Sequence, residues 1–261
     1  MKIRTGFVSN SSSSSFIVAF SKKPTTKEDV LKEMFPKNPT GSIANPWPGL
    51  KEYDDGLTYA QIVEQVLSDL QGEDTKVSKT DLLQELAGRY FTIDGKLYYM
   101  GSPYYALDKK LAQKYVDVHE EHEAQRKAFD KFERELIRVH VGPDVPYASE
   151  NTTNWTTRKP CTKADIEAYN TYRDAVKAFE EANPKYITAK KKQNARERKF
   201  WDTQRKLANR LARIDLAAFL KDNKGKFITR FTYSDNDGSF FSMMEHGNIF
   251  RNVNHIYVSH H

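Results

Sequence analysis

Along the first hundred residues the apolar positions come in short blocks separated by polar turns. Phe16-Ile17-Val18-Ala19-Phe20 is β-branched and aromatic, and predicts a strand. Thr26-Lys27-Glu28-Asp29 is a capping sequence ahead of a short helix that ends at Pro36. Residues 36–56 are rich in Pro, Gly and Asn and predict a loop carrying Trp47. Thr58-Tyr59-Ala60-Gln61 is a second capping box. Ile62, Val63, Val66, Leu67 and Leu70 follow it at helical spacing, with Gly72 placed as a C-terminal cap. Ser78 to Asp81 opens a third short helix that stops at Gly88. Tyr90–Ile93 and Lys96–Tyr99 flank Asp94-Gly95, a hairpin signal.

From residue 104 the period changes. Leu111, Tyr115, Val118, His122, Gln125, Phe129, Phe132, Leu136 and Val139 step by fours and threes, a heptad seam that predicts one long helix over 106–140. Gly142, Pro143 and Pro146 end it, and a polar linker runs to Pro160. Thr162-Lys163-Ala164-Asp165 caps a second helix with Ile166, Tyr169, Val176 and Phe179 inward. Asn183-Pro184 ends that helix and opens a third, with Pro at the first helical position. The third helix places Phe200, Gln204, Leu207, Leu211, Ile214 and Ala218 on its seam and stops by Gly225, its N-terminal half carrying little apolar surface. Residues 226–261 return to alternation, with Phe227, Thr229, Phe231 and Tyr233 on one face. After a turn at Ser234–Gly238, the chain closes on a strand through Asn254–His261.

These patterns predict an α+β fold. A small mixed sheet is built from both termini plus the hairpin, and a long coiled-coil-like helical arm is inserted between them. The expected parts are 1–103, 104–225 and 226–261, the last completing the terminal sheet. An aromatic content of 12 % in 261 residues argues against wholesale disorder. One cysteine excludes an intrachain disulfide framework and a multi-Cys metal site. No apolar run approaches the ~20 residues of a membrane span, and the basic N-terminus is followed by too short an apolar block for a signal peptide. An intracellular, soluble protein with no membrane partner is expected.

Charge sharpens the picture. The net charge of +6 is not spread evenly: residues 185–213 hold eleven basic side chains against Glu197 and Asp202, a local +9 that leaves the remainder at −3. The basic character belongs to one helix, so an anionic partner would meet a stripe, with Lys190, Lys191, Lys192, Arg196, Arg198 and Lys199 as its densest part. Phe200 and Trp201 lie inside the run. Stacking on bases suits them, and seam packing explains Trp201 more simply.

Three other features can carry chemistry. Gly6-Phe7-Val8-Ser9-Asn10 and Ser11 to Ser15 lead into Phe16. Read as a loop, Asn10, Ser11, Ser12, Ser13 and Ser14 offer hydroxyls and backbone N–H groups to a phosphate or carboxylate, without a P-loop signature. Asp235 and Asp237, followed by Glu245 and His246, are either a plain turn with ordinary solvated side chains or a site that binds a divalent metal or works as acid and base. Four of seven histidines lie after residue 245, with His260 in the polar tail. His119 and His122 do not make His-Glu-x-x-His; His122 falls on the heptad seam, as a register-setting polar residue. Cys161 opens a helix with no evident histidine partner. No cofactor and no particular metal is named by these residues.

The string Arg4-Thr5-Gly6-Phe7-Val8-Ser9-Asn10 through Ser15-Phe16 resembles the start of an uncharacterised group of tailed-phage and bacterial proteins. The tail, from Ser234-Asp235-Asn236-Asp237-Gly238 through Glu245-His246-Gly247 to Ser259-His260-His261, is similar to that of some members. The likeness covers about 1–24 and 226–261. It implies a phage or mobile-element origin, in the cytoplasm of an infected bacterial host or in the virion, and a shared terminal module. It supplies no reaction.

The expected function is that of a phage-encoded accessory protein holding an anionic ligand or polyanion (a nucleotide, nucleic acid or acidic protein) through the Ser-rich segment and the basic helix. A virion or assembly component that oligomerises through the arm is the second expectation. An enzyme on a phosphate-containing substrate, using Asp235, Asp237, Glu245 and His246, is the third.

Overall fold

The computed structural model describes residues 13–44, 56–72, 77–93, 95–97, 102–149 and 160–259. Asn10, Ser11, Ser12 and His260 lie outside the described residues, as does the side chain of Asp235. The fold is α+β. By contacts the chain divides into one compact unit of 1–116 with 205–261, and another of 117–204. The ends of the long helices flanking the arm therefore belong with the sheet.

In the first unit the central strand is β1 (Ser13–Phe20), three residues longer than its apolar block because the serines join the ladder. It pairs antiparallel with β6 (Phe227–Ser234) on one side and β7 (Asn254–Ser259) on the other, in the order β6-β1-β7. Both termini thus build one sheet. Register sets its two faces, since alternate residues point oppositely. Phe16, Val18 and Phe20 share a face with Phe231 and Tyr233. That face packs on α1 (Lys27–Met34), α2 (Tyr59–Gln71) and α7 (Ser239–His246) through Val30, Met34, Ile62, Val66, Leu70, Met243 and Met244. Each such side chain, fully buried, contributes about 1.5–3 kcal/mol. α1, α2 and α3 (Lys79–Gly88) start at capping boxes formed by Thr26 with Asp29, Thr58 with Gln61 and Ser78 with Asp81.

Ile17, Ala19, Ile256 and Val258 fill the opposite face. There Arg230 pairs with Glu85 of α3 at 3.0 Å. Asn254 donates to Tyr104 at 3.1 Å and to Asn223 at 3.0 Å. The expected hairpin forms its own two-stranded sheet, β4 (Thr92–Ile93) with β5 (Lys96–Leu97). The Pro- and Gly-rich stretch adds a short β2 (Ser42–Ile43), paired with β3 (Leu57–Thr58). Gly56, at φ +63, makes the turn into β3, where a Cβ would strike the Ile43 carbonyl.

Two long helices cross between the units: α4 (Lys109–His140) and α6 (Pro184–Asp222). α5 (Lys163–Ala182), capped by Thr162 and Asp165, joins them in the second unit. Asn183 caps α6 by accepting from the Tyr186 amide at 3.0 Å, with Pro184 just inside. Tyr186, 1 % exposed, ties the three helices: its hydroxyl lies 2.8 Å from Glu133 of α4 and 2.6 Å from Glu180 of α5, and accepts from Lys190 at 2.6 Å. Burial and the two carboxylates push its phenol well above the ordinary range.

The heptad seam holds only in part. Leu111, Tyr115 and His122 are buried, but Phe132 is 38 % and Val139 79 % exposed, while Ile137 has moved in. A 3.6-residue helix drifts by about 20° per heptad from a strict 3.5 repeat. The same drift in α6 leaves Ile214 at 38 % exposure and buries Asp215, Leu216 and Phe219 instead.

Candidate functional site

The serine segment is strand, not loop. Ser14 faces Tyr233 on one side and Ser259 on the other, and Ser15 faces Thr232 and Val258. Their backbone groups belong to the ladders and cannot cradle an anion. The Ser14 hydroxyl is fully buried and donates to Glu245 Oε1 at 2.7 Å. Its one proton so placed, Ser14 accepts from the Tyr257 hydroxyl at 2.8 Å. The Ser15 hydroxyl meets that of Thr232 at 3.1 Å.

Glu245 is 2 % exposed near the end of α7, and its second oxygen stands 3.8 Å from His246 Nε2. The terminal motifs therefore do meet: Ser14, Glu245, His246 and Tyr257 adjoin at one end of the sheet. The order is unsuited to nucleophilic catalysis. A serine is activated by an imidazole lying between it and a carboxylate. Here the carboxylate lies between the serine and the imidazole, and the serine has no exposed surface. The arrangement can anchor β1 to α7 and β7. Asp237, in the short turn after β6, is exposed while Glu245 is buried. Among the described residues no three His, Cys, Asp or Glu side chains are grouped to hold a metal ion. His255 donates from Nδ1 to the Val253 carbonyl at 2.9 Å, and burial lowers its pKa.

A second buried cluster has no counterpart in the sequence reading. Asp215 of α6 and Arg89, just after α3, are fully buried and paired at 2.9 Å. Asp215 also accepts from the Tyr90 hydroxyl at 2.5 Å, the Ala106 amide at 2.7 Å and the Leu107 amide at 3.0 Å. Ala106 adopts a left-handed conformation (φ 50), and its N–H and that of Leu107 converge on the carboxylate. Arg89 also donates to the Tyr104 carbonyl and lies over the Tyr90 and Tyr105 rings, while its Nε and Nη1 have no hydrogen-bond partner. Burial pushes the Tyr90 phenol up. Charge inside a core is costly to unpair, so this cluster is structural. The position of Asp215, one residue off the seam expected at Ile214, is its one sequence signal.

The basic run presents the opposite geometry. Of its eleven cations, ten are exposed. Lys190 is the exception, turned to Glu180 at 3.4 Å and over the Tyr186 ring. Within the second unit Lys185, Lys192, Arg196 and Lys199 follow spacings of seven, four and three, which put them on one helix face. Lys191 and Arg198, seven apart, form a second line. Trp201, three residues past Arg198, is 66 % exposed rather than packed in the seam; Phe200 takes the buried place.

Among the described residues no helix is long and apolar enough to cross a membrane. No protein-family model, curated protein or solved structure matches the chain.

Proposed function

We propose that this chain is a phage-encoded accessory protein that binds nucleic acid through the exposed half of α6. The carrying observation is the solvent-facing line of Lys185, Lys192, Arg196 and Lys199. A helix of 1.5 Å rise spreads these four charges over about 21 Å, a length that suits successive phosphates of a strand. The exposed Trp201 beside Arg198 favours nucleic acid over an acidic protein surface, because a base can stack on the indole. The serine segment contributes no ligand contact from its described part.

The test is fluorescence anisotropy with a labelled 20-nucleotide single strand at several salt concentrations. Replacing all four line residues by Glu is expected to abolish binding at 100 mM salt without lowering the melting temperature. Trp201→Ala weakens binding by about 1–3 kcal/mol. Wild-type affinity in the quadruple variant, or no binding by the wild type, sinks the reading.

A second reading, arm-mediated assembly in a virion, is favoured by one feature. None of the residues of α5 is buried, and Ile166, Tyr169, Val176 and Phe179 are only half-covered. Light scattering at increasing concentration decides it: a mass that stays at the monomer value removes this reading.

A further inference from the structure

Inside the second unit, α4 and α6 enclose a cleft of about 310 Å³, a volume at the lower end of small-ligand sites. One wall is apolar: the His122 ring lies flat on Phe200, centroids 3.8 Å apart and planes 7° from parallel. His122 is 9 % exposed, and its Nε2 has no hydrogen-bond partner. Buried ring nitrogens are normally satisfied, so this one, itself closed to solvent on a residue that lines the cleft, is a group with unused capacity. The rest of the lining carries charge. Arg196 and Lys199 line the cleft from α6, and both are exposed. Glu121 also lines it, with one oxygen taken by the Gln125 amide at 2.9 Å. Thr203 lies at its edge, its hydroxyl donating to the Lys199 carbonyl at 2.7 Å. Two cations thus stand against one carboxylate that is already engaged.

We propose that this cleft is a phosphate-binding site for a ligand of mononucleotide size, either a free nucleotide or the phosphorylated end of a strand. Arg196 offers a guanidinium fork and Lys199 an ammonium to the phosphate oxygens. His122 Nε2, closed to solvent in the free protein, donates to a third oxygen once the ring turns toward the cleft, and Phe200 backs the apolar part of the ligand. The inference rests on the nucleic-acid reading in sharing Arg196 and Lys199. It adds His122, which lies on a different helix from the basic line and has no place in simple charge attraction.

The test is calorimetric titration of the full chain with adenosine 5′-monophosphate, adenosine and inorganic phosphate, beside NMR of the His122 ring nitrogens. The monophosphate is expected to bind and to shift the Nε2 resonance, inorganic phosphate to bind more weakly at the same resonance, and adenosine not to bind. His122→Phe, which keeps the stack on Phe200, weakens monophosphate binding about tenfold or more, the worth of one hydrogen bond to a charged group. His122→Gln, which keeps a donor, recovers part of it. A 5′-phosphorylated oligonucleotide that shifts Nε2 where its 5′-hydroxyl counterpart does not identifies the strand end as a ligand; a shift from neither leaves the free nucleotide, and equal shifts from both overturn the mononucleotide-sized site. Unchanged affinity in a folded His122→Phe protein, or adenosine binding as tightly as its monophosphate, overturns the inference. Oligonucleotide binding that persists in either of those cases leaves the nucleic-acid reading standing. Monophosphate binding through His122 by a protein that ignores oligonucleotides separates the two failures the other way.

Discussion

In the sheet, Ser14 has no exposed surface and gives its one proton to Glu245. On α6, Lys185, Lys192, Arg196 and Lys199 stand in water. Both stretches are compositionally simple. The serines are short side chains beside an apolar block, so they can extend a central strand and satisfy their hydroxyls internally. The cations are long, strongly hydrated and crowded with their own kind, so no interior can take them. Burial turns the first stretch into architecture. Exposure leaves the second available for a partner. Polar chemistry at the sheet should therefore govern stability, and polar chemistry on the arm should govern binding.

The largest expected effect comes from the buried pair. Asp215→Ala strands the Arg89 charge and two backbone N–H groups, and should cost about 3–5 kcal/mol in urea unfolding. Replacing both partners, Arg89→Met with Asp215→Leu, should recover much of that loss. A single variant as stable as the double would show that Arg89 finds water or another acceptor.

Next is the terminal cluster. Glu245→Ala removes the acceptor of a buried hydroxyl and should cost about 1–3 kcal/mol, with no change in oligonucleotide affinity. Lost affinity in a folded Glu245→Ala protein would erase the contrast between sheet and arm. The reverse case is Lys192→Glu, whose effect on stability should stay within about 0.5 kcal/mol, as for most surface changes.

The smallest expected effect concerns pH. His255 is held neutral by burial, so its folded pKa lies below the ordinary 6.5. The unfolded chain then takes up the proton first as pH falls. Stability from this residue is complete above pH 6.5 and declines below it, until the folded state also protonates. His255→Phe, which puts a ring that cannot titrate beside Phe16 and Phe250, should flatten that part of the pH–stability curve.

Much of this fold is visible in the linear pattern. Thr26, Thr58, Ser78 and Thr162 mark four helix starts because each carries an acceptor and has a reciprocating partner three residues on. Pro184 marks another. Strand character at both ends of the chain points to their common sheet. Two things are not visible. The serines read as a loop because no local signal announces that two strands, more than two hundred residues away, will pair with both their edges. The seam at Ile214 and Val139 fails because a strict heptad fits a supercoil and these helices keep a straighter period. At Phe200 the seam holds: Phe200 is buried where the pattern puts it, and Trp201, one position off the seam, points outward and not into it. For the site, charge density located the basic face, but Lys190 could not be set apart from its neighbours without Tyr186 and Glu180.

The most direct test of the central claim is the salt dependence of oligonucleotide binding. Four phosphate contacts on a single strand give a slope of about −3 in log K against log salt. The wild type should show that slope, and the variant carrying Glu at 185, 192, 196 and 199 should show none, at unchanged melting temperature. A wild-type slope near zero, or an equal slope in both proteins, would contradict the account.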